Sequence, residues 1–220
     1  MRRPRLSVRR LLLVGVIVLI PIIALVYITS QPSQPPATPS NTITTAFDFD
    51  TGSPLLAATQ STPFNQTSNG ITAHFGSPSD TSAPAFSIQS YSTTFVRLAQ
   101  FSGKYLYDNQ PSRDILEIRF SQQLKSISLT FATVEYRTEP SSIVLTAYLD
   151  SAETTPVGQA TTNGTSTTEL YPQGTVSYNS DGHPFNIVRI EIPLQESGGA
   201  TNFFVDNIKV NIIQKEPSTK

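Results

Sequence analysis

Residues 115–132 read ILEIRFSQQLKSISLTFA, and the reading of this stretch decides the fold. Leu116, Ile118 and Phe120 alternate with Glu117 and Arg119; further on, Ile127, Leu129 and Phe131 alternate with Ser126, Ser128 and Thr130. A period of two puts successive side chains on opposite faces of an extended chain, so each run predicts a strand with one buried and one wet face. The same pattern recurs on the C-terminal side, in Ile143, Leu145, Ala147 and Leu149, and in Val188, Ile190 and Ile192 set against Arg189 and Glu191. Shorter candidates lie at 46–49, 71–75, 95–101, 168–171 and 175–178, and a last strand at 203–213. Turn dipeptides separate the runs: Pro111-Ser112, Glu139-Pro140, Asn163-Gly164, Asp181-Gly182 and Gly198-Gly199. Long loops are expected at 51–70, 76–85 and 103–113. Many short strands without a helical period predict an all-β sandwich or barrel over residues 46–213, and exclude a parallel α/β architecture.

The N-terminus has a different physics. Residues 1–10 carry five arginines and no acid, and residues 11–28 read LLLVGVIVLIPIIALVYI, 18 residues without a charge. As a helix this is about 27 Å long, close to the roughly 30 Å of a bilayer's hydrocarbon core. It predicts a single transmembrane anchor, kinked at Pro21; a cleaved signal peptide is the alternative. The arginines precede the span and the next basic residue after it is Arg97, so the N-terminus is expected to be cytoplasmic and the rest extracytoplasmic. Residues 29–45, TSQPSQPPATPSNTITT, hold four prolines and no charge, and read as an extended stalk. Residues 214–220 read as a flexible tail.

Beyond residue 10 there remain 10 basic against 16 acidic residues, a net charge of −6, which argues against a nucleic-acid partner. The chain has no cysteine, so disulfides, thiolate metal sites and cysteine nucleophiles are excluded. Its two histidines, His74 in ITAHF and His183 in SDGHP, fall in no catalytic motif and read as ordinary strand and turn residues. An enzyme is not expected.

The order FSGKYLYDN, ILEIRFSQQLKSISLTFA, IVRIEIPL and FFVDNIKV resembles bacterial surface proteins with a galactose-binding-like jelly roll. The last strand carries the resemblance most clearly, in the pattern Phe-x-x-Asp-Asn-Ile-x-Val matched by Phe203, Asp206, Asn207, Ile208 and Val210. The resemblance implies a two-sheet jelly roll that binds glycans, in some relatives with a structural calcium ion. There is no tryptophan to stack on a sugar.

Asp206 shares the parity of Phe204, Ile208, Val210 and Ile212, and is therefore expected on the core-facing row. A carboxylate there is costly without partners. Two readings stay open: acceptance of backbone N–H bonds from an adjoining loop at the sandwich rim, or a calcium ligand with help from Asp48 and Asp50. Phe47 and Phe49 should take the buried side of that first strand, leaving both aspartates facing outward. The segment Tyr105, Leu106, Tyr107, Asp108, Asn109, with Arg113 behind it, mixes rings with planar hydrogen-bonding groups, the mixture a glycan site needs. Asn65-Gln66-Thr67 and Asn163-Gly164-Thr165 fit the N-glycosylation sequon. The expected function is a membrane-anchored surface module that binds carbohydrate. The alternatives are a structural ectodomain acting through protein contacts and, third, an extracellular hydrolase.

Overall fold

The computed structural model describes residues 42–78, 85–91, 97–109, 115–134, 142–149, 155–167, 169–193 and 202–213. The expected membrane span, Arg113 and the tail lie outside them. All described residues belong to one unit, Ser40–Lys220. Eleven strands follow one another: β1 (Thr42–Phe47), β2 (Phe64–Ser68), β3 (Ile71–Gly76), β4 (Phe86–Ser90), β5 (Lys104–Asp108), β6 (Leu116–Thr133), β7 (Ser142–Tyr148), β8 (Pro156–Asn163), β9 (Gln173–Asn179), β10 (Phe185–Glu191) and β11 (Phe203–Ile213). Among the described residues there is no helix long and apolar enough to cross a membrane.

Strand β6 organises the sandwich. Its first half pairs antiparallel with β3 and β10, its second half with β11 and β9. One layer therefore runs β2-β3-β6-β10-β7-β8 and the other β4-β5-β11-β6-β9, with β1 beside the far half of β11. The 18 residues of β6 span roughly 60 Å, enough to serve both layers. Alternation lapses at Ser121, Gln122 and Gln123, three exposed residues in a row, where the strand passes from one layer to the other. Either side of that passage the apolar residues of both runs point between the layers. Leu116, Ile118, Leu129 and Phe131 are fully buried there with Phe49, Phe75, Phe185 and Ile208. Phenylalanine rings meet edge to face, as at Phe47–Phe75 (6.4 Å) and Phe49–Phe75 (5.4 Å).

Several expectations change. Strand β1 begins at Thr42, inside the stretch read as stalk, because its β-branched threonines pair with β11 from Thr42↔Ile213 onward. The loops expected at 51–70 and 103–113 contain β2 and β5. Strands β4 and β8 had no candidate; β8, PVGQATTN, is a polar strand that among the described residues pairs only with β7, so burial imposes no strong pattern on it. In the candidate at 95–101, the described residues 97–101 form a turn, and 169–171 likewise form no strand. Leu149 lies past the end of β7 and is 43% exposed.

The parity of β11 is the correction that matters most for the site. Asp206 pairs with Thr130 and Lys209 with Ser128, so β11 holds one more residue than β6 across this step. Asn207 takes φ 50°, the left-handed region that asparagine tolerates better than most residues. This bulge resets the alternation. Phe203 and Val205 before it, and Ile208, Val210 and Ile212 after it, face the core, whereas Phe204 joins a second, outer cluster. Asp206 shares the outward row with Phe204.

Candidate functional site

The residues nominated on β5 divide between two faces. Tyr105 and Tyr107 point outward, while Leu106 and Asp108 take the inward parity of the strand. Tyr105 is buried in the outer aromatic cluster, its ring edge-on to Phe101 (5.9 Å) and Phe204 (5.6 Å). Burial, its largest cause, and the neighbouring Tyr107 and Tyr171 raise its pKa. Tyr107 is half-buried, tilted over Phe204 at 5.0 Å, and its hydroxyl accepts a hydrogen bond from Asn202 Nδ2 at 2.9 Å. Asp108 is buried and its backbone carbonyl accepts a second bond from that amide. Asn109 is exposed and accepts a bond from Ser87 Oγ at 2.8 Å. The tyrosines and Asp108 thus do not converge on one surface, and Arg113 lies outside the described residues.

Asp206 is 1% exposed, covered by the turn from Arg97 to Gly103. Its Oδ1 accepts the Asn207 N–H at 2.7 Å, and its Oδ2 accepts the Ser102 N–H at 3.4 Å and Asn207 Nδ2 at 3.1 Å. Burial raises its pKa to about 7; the amide donors pull it down, and the carboxylates of Asp50 and Asp48 push it up. Those two carboxylates have their own donors. Asp48 Oδ1 caps a turn by accepting the Thr51 N–H at 2.9 Å and its hydroxyl at 2.8 Å, and both oxygens of Asp50 accept the Lys104 N–H at 3.1 Å. Gly103, at φ 61°, leaves the space that the Asp50 carboxylate fills. Among the described residues no three acidic or histidine side chains gather into a metal-holding group, and the carboxylates of Asp206, Asp50 and Asp48 are instead met by N–H and O–H donors.

The outer face of the β2-to-β8 layer brings together residues that the sequence reading had left as a wet row. Register aligns Gly76, Glu117, Arg189, Thr146 and Gln159 across five strands, and Asn65, His74, Arg119, Ile187 and Tyr148 in the adjacent row. Glu117 is the hub. Its side chain is 2% exposed, and it binds Arg119 Nη2 at 2.5 Å through Oε1 and Arg189 Nε at 2.9 Å through Oε2. The Arg189 guanidinium lies over the Tyr148 ring at 5.0 Å from its centroid. Gln159 Nε2 donates to Thr146 Oγ1 at 3.1 Å, and His74 Nδ1 lies 2.7 Å from Asn65 Oδ1. The result is one ring, two guanidiniums and two amides on strands rather than loops, the guanidiniums held by a carboxylate beneath them. The signal for it in the sequence was the charge alternation Glu117/Arg119 and Arg189/Glu191; the pairing that makes it a cluster is not local. The sequon residues Asn65 and Asn163 are both exposed, Asn65 at the edge of this face.

No family model and no curated protein matches the chain. Solved structures do. The chain is similar to a carbohydrate-binding module described as specific for non-crystalline cellulose, CBM28, at 12% identity and a TM-score of 0.42, over 62% of this chain and 86% of that one. It is also similar to the module TmCBM61 in complex with β-1,4-galactotriose, at 9% identity and a TM-score of 0.38, over 64% and 88%. A third similar structure is a cyclase from Fischerella sp. in its apo form, at 13% identity and a TM-score of 0.40, over 80% and 99%.

Proposed function

We propose that this domain is a non-catalytic, jelly-roll binding module for polysaccharide, held outside a membrane by the N-terminal span and stalk. The ligand is taken on the outer face of the β2-to-β8 layer. The observation that carries the reading is the clamp of Glu117 on Arg119 and Arg189 beside Tyr148. A guanidinium presents five donors in a rigid fork, and anchoring part of that fork fixes the direction of the rest. Arg119 and Arg189 side chains remain 35% and 21% exposed, so the fixed groups reach solvent next to an aromatic ring. That combination suits a sugar, which needs an apolar platform and oriented donors for its hydroxyls. The arginines ahead of the uncharged span support a cytoplasmic N-terminus. Within the same proposal Asp206 is a rim carboxylate that ties the 97–103 turn to the sheet by accepting N–H bonds, a donor set that does not fit a calcium ion.

The test compares two tyrosines on a glycan array. Tyr148→Ala should weaken retention about tenfold on whichever glycans hold the wild-type domain, the size expected from losing one stacking ring. Tyr105→Ala should lower the unfolding midpoint and leave retention of the folded fraction unchanged. A wild-type domain that no glycan retains, or equal retention by Tyr148→Ala, overturns the reading.

A further inference from the structure

A second concave surface lies on the other layer, below the aromatic cluster. It is an open groove of about 510 Å³ across β1, β11, β6 and β9. Its floor is a polar ladder in register: Thr44, Asn211, Ser126 and Asn179. Thr44 Oγ1 donates to Asn211 Oδ1 at 2.6 Å, and Asn211 Nδ2 donates to Ser126 Oγ at 2.8 Å, so the ladder is tied in one orientation. Two lysines, Lys125 and Lys209, also line the groove, and among the described residues no acidic one does. Among the described residues neither lysine forms an ion pair. Lys125 owes its place to a second irregularity of register: Asn211 pairs with Ser126 but Ile212 with Leu124, which leaves Lys125 as the extra residue of a bulge. Bulges redirect side chains in this way.

We infer that this groove is a separate binding site for an acidic polysaccharide, distinct from the face proposed above and on the opposite side of the sandwich. Two cations in a groove whose described lining holds no acid, in a chain that carries a net charge of −6 beyond residue 10, are a local reversal of sign, which selects an anionic ligand. The tied row of hydroxyls and amides offers partners to sugar hydroxyls. Lys209 pairs with Ser128, three positions from Lys125 along the neighbouring strand, so the two cations are anchored about 10 Å apart along the sheet. A separation of that size is spanned by a chain carrying repeated anions rather than by a single one. Tyr178 borders the groove, but its ring turns to the core and packs on Phe185 at 5.3 Å, so stacking is not the basis of recognition here.

Affinity electrophoresis of the folded domain in gels containing polygalacturonate, dextran sulfate or plain dextran tests this site. Retardation by polygalacturonate or dextran sulfate is expected, falling as salt rises, and the more effective of the two assigns the anion as carboxylate or sulfate. Lys125→Gln and Lys209→Gln should each weaken it about tenfold, as expected for one lost charge-assisted contact. Tyr148→Ala should leave it unchanged, which separates this site from the other face. No retardation by either polyanion, retardation by plain dextran to the same extent, or retardation indifferent to both lysine changes overturns the inference.

Discussion

Glu117 and Asp206 are both carboxylates on outward-facing rows, and both are almost wholly removed from water, at 2% and 1% exposure. They are buried by different means. Glu117 lies beneath two guanidiniums, one on each oxygen, in a row where the partners come from its own strand and the next. Asp206 lies beneath the 97–103 turn and meets only amide donors, with two further carboxylates near enough to raise its pKa. A carboxylate gripped by two guanidiniums fixes the direction of both. A charge matched only by amides at a dry site is drawn toward its protonated form. The first arrangement fixes two guanidiniums on an outer face; the second fastens a loop to a sheet and makes that fastening depend on protonation.

The largest effect should fall on neither carboxylate but on the core between the layers, and it sets the scale for both. Phe131 is fully buried, so Phe131→Ala should cost about 3–5 kcal/mol in a urea titration from lost burial and a cavity. Its neighbour Thr130, which faces outward opposite Asp206, should cost under about 1 kcal/mol as Thr130→Ala. The reverse ranking would mean that the outward row of β6 is in fact the core row. Glu117→Ala comes next, at about 2–3 kcal/mol, below the full cost of a broken buried pair because its arginines are partly solvated. A cost near zero would show that the arginines need no carboxylate to stay ordered, and the clamp would lose its meaning.

The smallest and most conditional effect concerns Asp206. Its pKa is about 7 in the fold against 3.8 for an unperturbed aspartate. Below the lower value both folded and unfolded chains hold the proton; between the two values only the folded chain does. Stability should therefore fall as pH rises from about 4 to 7, the opposite of an ordinary ion-paired carboxylate, and stay lowered above that. The melting temperature should follow this course in EDTA, and Asp206→Asn should flatten it. Millimolar calcium should leave the curve as it is in EDTA, since N–H donors already meet the carboxylate. A curve flattened by calcium would return the ion to Asp206, since a ligand of the charged form offsets the loss. A wild-type curve as flat as the variant's would place Asp206 in contact with water.

Some of this was legible in the chain as written. Alternation between apolar and polar residues is a local property, set by the geometry of an extended backbone, so the strands over 116–120, 127–131, 143–147, 188–190 and 203–213 and the buried side of most of them follow from residues a few positions apart. The burial of Asp206 was legible as well, but for a different reason from the one that holds. Parity counted through Asn207 put it on the core row, whereas the bulge there turns it outward and the 97–103 turn covers it. Tyr105 and Tyr107 read as a ligand platform because composition does not distinguish an exposed ring from one packed on Phe204. Of the Glu117 clamp only the charge alternation on its strands was legible, and of the lysine groove nothing. Each joins residues from strands distant in sequence, Glu117 with Arg189 and Lys125 with Lys209, and which residues stand opposite one another depends on strand order, register and bulges. Those are decided by how the apolar faces of the two layers close on one another, a long-range condition that no single strand carries.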